Sequence, residues 1–362
     1  MKKLGFGVMR LPMNGDKVDT DKFSEMVDLF MENGFNYFDT AKVYHSGQSE
    51  SALKTSLTSR YPRESYILTD KLSPWCFEKE EDIRPMFDEQ LAACGVEYFD
   101  YYLMHSQGRG NYGKFTETHA YEIAAELKAE GKIKHVGLSF HDTPDFLDKI
   151  LTEHPEVEVV QLQFNYMDYE STNVQSRACY EVARKHGKDI LIMEPVKGGS
   201  LANIPDEAKA VFASLGDMSP ASYAIRFAAG FDGVIGVLSG MSTLEQVEDN
   251  ISYMKDFEPL SDEEKAAVDK VCEIIKSKYL IACTACKYCV DGCPMKIQIP
   301  RLFSCMNSLR AYGNEGARKK YAEITAESGK ASDCIACGLC EDSCPQKLEI
   351  RDLLVKVAET FE

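Results

Sequence analysis

The chain has 362 residues, of which 44% are hydrophobic, and this is enough for one large domain and a smaller one. Its 41 lysine and arginine residues against 58 aspartate and glutamate residues leave a formal net charge of −17, which disfavours binding to nucleic acids and to anionic lipid headgroups. We therefore expect a soluble, globular protein that binds neither nucleic acid nor membranes.

The N-terminal stretch does not read as a secretory signal. It starts with two lysines, but glycines, Arg10 and Pro12 interrupt the apolar segment that such a signal needs. No apolar run in the sequence is long enough to predict a transmembrane helix. We expect a cytoplasmic protein, in which the 13 cysteines meet a reducing environment and clustered thiols indicate metal binding rather than disulfides.

Up to about residue 255, short runs rich in β-branched and aromatic residues alternate with amphipathic stretches, which is the pattern of repeated βα units. The predicted strands, in chain order, are LGFGVM, FNYFDT, SYILTDK, FDYYLMH, IKHVGLS, VEVVQLQF, DILIMEP and GVIGVL. Several of the predicted helices between them end at a glycine, which can cap a helix C-terminus. Eight such units in about 250 residues favour a (β/α)₈ barrel, the TIM barrel, over an open doubly wound sheet.

We predict the barrel over residues 1–258, a linker helix over 259–279 and a second domain over 280–362 that ends in a helix. Ser261 is the predicted N-cap of the linker helix, and Glu264, three positions later, completes a capping box. The second domain contains a duplication, and the barrel part contains none.

The duplicated segment is a cysteine run with the spacing C-x₂-C-x₂-C-x₃-C-P, which ends once at Pro294 and once at Pro345. Three thiolates two residues apart can surround one face of an iron–sulfur cubane, while the fourth points to a second cluster. Structural zinc is the alternative, but zinc sites usually use two C-x₂-C pairs and would leave one cysteine of each triple unused. We assign one [4Fe–4S] cluster to Cys283, Cys286, Cys289 and Cys344, and the other to Cys334, Cys337, Cys340 and Cys293.

Residues 280 to 350 resemble a two-cluster bacterial-type ferredoxin. The interval between the runs, residues 301–324, reads as helical, and this is closer to the α-helical ferredoxin modules of multi-subunit redox enzymes. We therefore expect a small, largely α-helical ferredoxin-like domain. The cysteines outside the runs are expected to be buried apolar side chains, namely Cys76, Cys94, Cys179, Cys272 and Cys305.

Four reactive residues fall at the ends of successive predicted strands or in the loop that follows. They are Asp39 and Tyr44 around the second strand, Lys71 at the end of the third and His105 at the end of the fourth. Catalytic groups of barrel enzymes lie at these strand ends. The ordered set resembles the Asp, Tyr, Lys, His tetrad of the aldo-keto reductases, and the likeness spans essentially the whole barrel.

This resemblance implies an oxidoreductase that interconverts a carbonyl and an alcohol by hydride transfer with NAD(P)H. As negative charge grows on the carbonyl oxygen, Tyr44 would supply a proton. A free tyrosine, with a pKa near ~10, is a poor acid at neutral pH, so we expect Lys71 to lower the pKa of Tyr44 and Asp39 to hold the lysine in place. His105 would donate a second hydrogen bond to the same oxygen.

The resemblance also implies the residues that hold the cofactor. Ser139 and Gln161 would hold the nicotinamide carboxamide, and Met193 stands where an aromatic residue often covers the ring. Glycine amides after the seventh strand would contact the pyrophosphate. The remaining residues are Gly198 and Gly199 for the pyrophosphate, and Ser242, Gln246, Asp249 and Asn250 for the adenosine.

The choice between NAD and NADP is open, with a slight preference for NAD. Many relatives carry a basic partner for the 2′-phosphate at positions that Gly240 and Gln246 occupy here. The sequence of the predicted substrate loops does not identify the substrate. The candidates to line an apolar pocket are Trp75, Phe77, Tyr112 and Phe115.

Three functions remain open at this point. The chain is a reductase joined to an electron-transfer domain, an electron-transfer module whose barrel is a docking or flavin-binding platform, or a reductase with purely structural clusters. A hydride carries two electrons and each cluster passes one, so direct coupling requires a carrier such as a flavin, for which we find no separate motif. The expected partners are a small carbonyl or alcohol substrate and a redox protein.

Overall fold

The computed structural model describes residues 2–171, 174–277, 280–312 and 314–362. The chain forms two compact units. The first comprises Met1–Ser171, Gln175–Pro195 and Ala224–Leu260, and the second comprises Thr172–Val174, Val196–Tyr223 and Ser261–Glu362. Across the described residues, no helix has both the length and the apolar character that crossing a bilayer requires.

Within the described residues, eight parallel strands close into a barrel in the order β1-β10-β9-β8-β7-β6-β5-β4, and β2 pairs with β3 in a separate hairpin. The predicted (β/α)₈ barrel is thereby confirmed. The strands are β1 (Leu4–Gly7), β2 (Met13–Asn14), β3 (Lys17–Val18), β4 (Tyr37–Asp39), β5 (Ile67–Leu72), β6 (Phe99–Gln107), β7 (Ile133–Phe140), β8 (Val159–Gln163), β9 (Asp189–Met193) and β10 (Val234–Ser239).

Helices follow the barrel strands. They are α1 (Thr20–Glu32), α2 (Gln48–Leu53), α3 (Ile83–Cys94), α4 (Tyr112–Glu117), α5 (Ala120–Ala129), α6 (Pro144–Glu153), α7 (Ser176–Lys185), α8 (Asp206–Ala213), α9 (Pro220–Ala229) and α10 (Leu244–Met254). The helix α1 shows why these segments fold as they do. The side chain of Asp19 caps it by accepting a hydrogen bond from the Lys22 amide, and its buried residues recur at helical spacing as Phe23, Met26, Val27 and Phe30.

Side chains from the inward face of the strands fill the barrel interior. One layer consists of Tyr37, Leu103, Val159, Leu191 and Leu238, all buried. Gly137 leaves room for this layer, because a Cβ atom there would lie 2.4 Å from Val159 Cγ1. The interior is therefore a packed core, and the reactive residues are confined to the strand ends.

The strand register brings the reactive residues to one end of the barrel. Asp39, the last residue of β4, pairs with Thr69 on β5, and Lys71, two residues further along β5, pairs with Leu103 on β6. Because the strands are parallel, their C-terminal ends meet at the same rim, where Asp39, Lys71 and His105 lie.

The second unit begins near the predicted boundary. Its helix α11 (Asp262–Ser277) starts with the predicted capping box, since Glu264 donates its amide to Ser261 Oγ at 3.2 Å and accepts the Ser261 amide at 2.8 Å. Residues 278 and 279, which end the predicted linker helix, lie outside the described residues. The predicted domain bounds stay a prediction, and two segments within the predicted barrel, Thr172–Val174 and Val196–Tyr223, group with the second unit.

The rest of the second unit is largely helical, as expected. Its helices are α12 (Tyr288–Asp291), α13 (Ile299–Tyr312), α14 (Gly316–Thr325), α15 (Leu339–Asp342) and α16 (Ile350–Phe361). The helices α13, α14 and α16 share an apolar core that includes Leu302, Phe303, Tyr321 and Leu354. The short helices α12 and α15 occupy equivalent places in the two cysteine runs.

The cysteines outside the runs mostly behave as apolar side chains. Cys94, Cys179, Cys272 and Cys305 are buried, and Cys76 is half-buried. Burial raises the pKa of the Cys179 thiol to about 12, so this side chain stays neutral.

Candidate active site and cysteine cavities

The ammonium group of Lys71 is the centre of the site at the barrel rim. Lys71 is fully buried, and its Nζ donates to Asp39 Oδ1 at 2.5 Å, to the Thr40 carbonyl at 2.6 Å and to Tyr44 Oη at 3.2 Å. A buried ammonium requires such partners, because its charge has lost the hydration shell. The predicted Asp39, Tyr44 and Lys71 are therefore brought together, and the Thr40 carbonyl is an additional partner that the sequence did not reveal.

Asp39 is held from both sides. One carboxylate oxygen accepts from Lys71, and the other accepts from Gln161 Nε2 at 2.9 Å. Burial raises the pKa of Asp39, while Lys71 and Gln161 favour its ionised form. Gln161, predicted to hold the nicotinamide carboxamide, uses one amide hydrogen to orient Asp39.

Tyr44 begins a short 3₁₀ turn, Tyr44–Gly47, that follows β4. Burial raises the pKa of Tyr44 well above its usual value, and the negative charge of Asp39 adds to this. Loss of hydration is the largest influence on this pKa in the structure, and the expected lowering by Lys71 stays a prediction. Tyr44 holds its proton at neutral pH, which is the form a proton donor needs.

His105 lies beside Tyr44, with the two ring centroids 6.0 Å apart and nearly perpendicular. Burial lowers the pKa of His105 well below its usual value, and the charge of Lys71 acts in the same direction. The imidazole is neutral, and its Nδ1 lies 2.7 Å from Ser73 Oγ. Sequence reasoning missed Ser73, although it follows Lys71 by two positions and so falls on the same side of the chain.

The aromatic residues proposed for a substrate pocket have different environments. Trp75 is 56% exposed and packs edge-on against His105 at 5.8 Å. Phe77 and Phe115 are buried against each other. Tyr112 donates its hydroxyl hydrogen to Glu153 at 2.6 Å. Of the four, Trp75 is the residue next to the tetrad.

The residues predicted for the nicotinamide lie on neighbouring strands. Ser139 on β7 is buried, pairs in register with Gln161 on β8, and its Oγ accepts from the Ser106 amide at 2.7 Å. Met193, half-buried, is the last residue of β9. Their roles toward a cofactor stay predictions.

The residues predicted for the adenosine surround the start of α10. The amide of Ser242 donates to Gln246 Oε1 at 2.7 Å, and the Ser242 hydroxyl donates to the Arg10 carbonyl at 2.7 Å. Asn250 is buried, donates to Ser239 Oγ at 2.6 Å and accepts from the Tyr253 hydroxyl. Asn250 therefore holds the end of β10 in this structure, and Asp249 beside it is half-buried.

Gly198 and Gly199, predicted for the pyrophosphate, belong to the second unit. Gly198 has a φ of 64° and lies against the first cysteine run, since a Cβ there would be 2.2 Å from the Thr284 carbonyl oxygen. Only glycine permits this approach. Gly199 has a φ of 95°, and a Cβ there would have no atom of the described residues within 4 Å.

A cavity in the second unit is lined by Cys283, Cys286, Cys289 and Cys344. It joins three cysteines of the first run with the last cysteine of the second, which is the set assigned from the spacing. Burial raises the pKa of Cys289, and the neighbouring thiols of Cys286 and Cys283 add to this. Ionising these thiols together requires a cationic group, which iron supplies.

A second cavity is lined by the other assigned set, Cys293, Cys334, Cys337 and Cys340. Burial raises the pKa of Cys340 to about 11, with Glu341 and Cys334 contributing. Cys337 is exposed, and so are its neighbours Ile335 and Leu339, at 60% and 50%. This cavity therefore lies close to the surface of the second unit.

The backbone of the two runs follows the same path. Left-handed φ values recur at equivalent positions: 54° and 55° at Ala285 and Ala336, 71° and 84° at Lys287 and Gly338, and 54° and 49° at Lys296 and Lys347. Such turns direct successive amide hydrogens to one side and form a concave site for anions. The Ala285 amide donates to Cys283 Sγ at 3.4 Å, as expected beside a sulfur-rich, negatively charged cluster.

The separation of the cysteines favours a cluster over one zinc ion. Sulfurs bound tetrahedrally to zinc at about 2.3 Å lie about 3.8 Å apart. Among the described residues, only Glu50, Asp70 and Cys94 form a group of three whose ligand atoms all lie within 4.8 Å of one another. No three of the described run cysteines meet this limit, so their sulfurs are more widely spaced than the sulfurs around one zinc ion.

Comparison with known proteins adds independent support. The model of the aldo/keto reductase family matches residues 3–273, and the model of the 4Fe-4S dicluster domain matches residues 282–348. The NADH-specific methylglyoxal reductase of Escherichia coli is 26% identical over 266 residues, which cover 61% of this chain and 79% of that protein. The L-galactose dehydrogenase of Arabidopsis thaliana is 23% identical over 298 residues, which cover 76% and 91%.

Solved structures match the barrel. A holo aldo-keto reductase from Bacillus halodurans is 25% identical with a TM-score of 0.61, covering 74% of this chain and 91% of its own. An aldo-keto reductase from Klebsiella pneumoniae in complex with NADPH is 19% identical with a TM-score of 0.60, covering 74% and 90%.

Proposed function

Since the chain belongs to the aldo-keto reductase family and carries a 4Fe-4S dicluster domain, we propose that it interconverts a carbonyl and an alcohol by hydride transfer with NAD(P)H. The observation that carries this proposal is the contact of one buried ammonium, Lys71 Nζ, with both Asp39 and Tyr44. The nicotinamide, when bound, supplies the hydride to the carbonyl carbon. Side chains at the barrel rim transfer the proton, stabilise the charge that forms and orient the substrate.

Tyr44 donates the proton that turns the carbonyl oxygen into a hydroxyl. Its raised pKa keeps it protonated beforehand, and Lys71 stabilises the phenolate that the transfer leaves. Asp39 keeps Lys71 in place, and Gln161 keeps Asp39 in place. In the reverse direction the phenolate takes the proton of the alcohol.

His105 acts as a neutral hydrogen-bond donor to the same oxygen. In this role Nε2 carries the single imidazole hydrogen, and Nδ1 accepts from the Ser73 hydroxyl, whose oxygen lies 2.7 Å away. A lowered pKa supports this role, because the protonation state then does not change near neutral pH. Ser73 is the positioning residue in this scheme.

The substrate approaches the tetrad past Trp75. Its exposed indole beside His105 offers an apolar, aromatic surface at the place where the carbonyl must lie. Methylglyoxal, the small carbonyl for which the relative from Escherichia coli is named, is the first substrate to try, and L-galactose, for which the relative from Arabidopsis thaliana is named, is the second.

Either nicotinamide cofactor is compatible with the rim, and one observation favours testing NADPH alongside NADH. The side chain of Arg10 lies along Gly240, since a Cβ on that glycine would be 3.2 Å from Arg10 Cδ. A guanidinium at this place can bind the 2′-phosphate of NADPH. Gly240 and Gln246, which occupy the positions where many relatives carry a basic residue, provide no cation for it. A rise in the KM for NADPH but not for NADH in Arg10→Gln would support this contact.

The test of the reductase function follows the absorbance of NADH or NADPH with methylglyoxal and a set of aldehydes, ketones and quinones. We expect oxidation of the cofactor that matches the alcohol formed, one for one. Absence of turnover with every carbonyl and both cofactors, in protein that binds the cofactors, would overturn the proposal.

A second function, electron exchange with a redox protein, is favoured by the exposed rim of the second cysteine cavity. Cys337 is exposed there beside the exposed apolar side chains Ile335 and Leu339, which suits a transient contact with another protein. The comparisons support iron–sulfur clusters and a nicotinamide cofactor, and they give no support for a flavin. We propose that the clusters exchange single electrons separately from the hydride reaction.

A further inference from the structure

Gln346 follows Pro345 at the end of the second cysteine run, and its side chain lines the cavity of Cys283, Cys286, Cys289 and Cys344. The residue is buried, with 4% of its surface exposed. Its amide nitrogen, Nε2, is buried and has no hydrogen-bond partner among the described residues. A buried amide without a partner is unfavourable, so the cavity should contain an acceptor for it.

Lys197 determines which way this amide points. Its Nζ lies 2.7 Å from Gln346 Oε1, and both side chains are buried. An ammonium group only donates, so the oxygen of the amide must face it and the two amide hydrogens must face the other way. The neighbouring Gly198 packs against Thr284, which lies between the first two cysteines of the run, and this keeps Lys197 at the cluster loop.

We propose that Gln346 Nε2 donates a hydrogen bond to a sulfur of the cluster held by Cys283, Cys286, Cys289 and Cys344, and that Lys197 positions its amide. The proposal rests on the cluster assignment made above. Hydrogen bonds to cluster sulfurs stabilise the reduced state, which carries one more negative charge, and they raise the reduction potential. The buried ammonium of Lys197 acts in the same direction through its charge.

The duplicated run provides an internal comparison. The residue at the same place after the other proline is Met295, which lines the second cavity. Its thioether has no hydrogen to donate. This position therefore supplies a side-chain donor to one cluster and none to the other, and this asymmetry is what the experiment measures.

The experiment is an anaerobic redox titration of the full chain, followed by electron paramagnetic resonance, after iron and sulfide have been quantified. Gln346→Met removes the donor and places in the second run the residue that the first run carries. We expect unchanged iron content and a lower midpoint potential for one cluster, by about 59 mV if the reduced-to-oxidised ratio at a fixed potential falls tenfold. Met295→Leu is the matched control and should leave both potentials unchanged.

Lys197→Met should lower the potential of the same cluster, because it removes both the orienting contact and the charge. Gln346→Glu keeps the size of the side chain and an acceptor for Lys197 but removes the donor. If Gln346→Met loses iron, the midpoint potential of Gln346→Glu therefore tests the proposal. Equal midpoints in the wild type and in the Gln346 variant that retains iron would overturn the proposal. If Gln346→Glu loses iron as well, an unchanged midpoint in Lys197→Met would overturn it. A wild-type protein without iron would instead overturn the cluster assignment.

Discussion

Lys71 Nζ lies 3.2 Å from Tyr44 Oη, although burial keeps the pKa of the tyrosine well above its usual value. The contact therefore matters less for the resting phenol than for the phenolate that forms when the proton leaves. An ammonium that is already in place needs no reorganisation at that moment, which is the general advantage of preorganised charges in an active site.

We expect Lys71→Met to lower kcat by about 10²-fold or more, because the phenolate loses its stabilising charge. The same change leaves Asp39 buried without its cation and should lower the free energy of unfolding by about 3–5 kcal/mol. Steady-state kinetics and urea unfolding measure the two effects.

Two further variants separate catalysis from stability. Asp39→Asn combined with Lys71→Met should recover much of the lost stability and none of the activity. Lys42→Met breaks an exposed pair with Glu89, and should change the free energy of unfolding by at most about 1 kcal/mol. Full activity in Lys71→Met would contradict the role of the ammonium.

His105 should make stability depend on pH in a defined direction. Its pKa in the folded protein is below the unfolded value of 6.5, so between these values the unfolded chain binds more protons. The contribution of His105 to stability is therefore present above pH 6.5 and decreases as the pH falls toward the folded pKa, by up to about 1.36 kcal/mol per pH unit. Unfolding of the wild type and of His105→Gln between pH 7 and 5 tests this. Parallel pH profiles would show that His105 is not the titrating group.

Anaerobically prepared protein should contain about eight irons and eight acid-labile sulfides per chain, from two four-iron clusters. Cys272→Ala changes a buried cysteine outside the runs and should leave both numbers unchanged. Stoichiometric zinc, without visible charge-transfer absorption, would contradict the assignment. Air should bleach the protein, because loss of iron exposes thiolates to oxidation.

Replacing Cys337 by alanine should impair electron exchange with one-electron dyes far more than NAD(P)H-linked carbonyl reduction. The reason is that no cluster takes part in the proposed hydride transfer at Tyr44. Because metal binding contributes to folding of such domains, the thermal stability of the barrel is measured in parallel. If carbonyl reduction disappears while the barrel stays folded and binds nicotinamide, the two reactions are coupled.

The fold and the tetrad could be predicted because both depend on order along the chain. Alternating strands and helices indicate the barrel, and a parallel barrel brings Asp39, Lys71 and His105 to one rim. The repeated cysteine spacing likewise indicates two mixed ligand sets without any knowledge of the packing.

Contacts and burial could not be predicted in the same way. The direction of the pKa shift of Tyr44 depends on how much water is excluded around it, which the spacing of residues does not reveal. Ser73 and Gln346 belong to no motif in the sequence, and only their packing shows that one contacts His105 and the other lines a cysteine cavity. The phosphate contact of Gly198 stays a prediction, and the sequence did not reveal that a Cβ there would lie 2.2 Å from the Thr284 carbonyl oxygen.

The central claim is that Tyr44 donates the proton in a nicotinamide-linked carbonyl reduction, and Tyr44→Phe tests it most directly. The change removes one hydroxyl and little surface, so cofactor binding, measured by fluorescence titration with NADPH or NADH, should remain close to that of the wild type. Single-turnover reduction of methylglyoxal, or of the carbonyl found to be the best substrate, should slow by about 10²–10⁴-fold. An unchanged single-turnover rate in a variant that binds the cofactor normally would contradict the account.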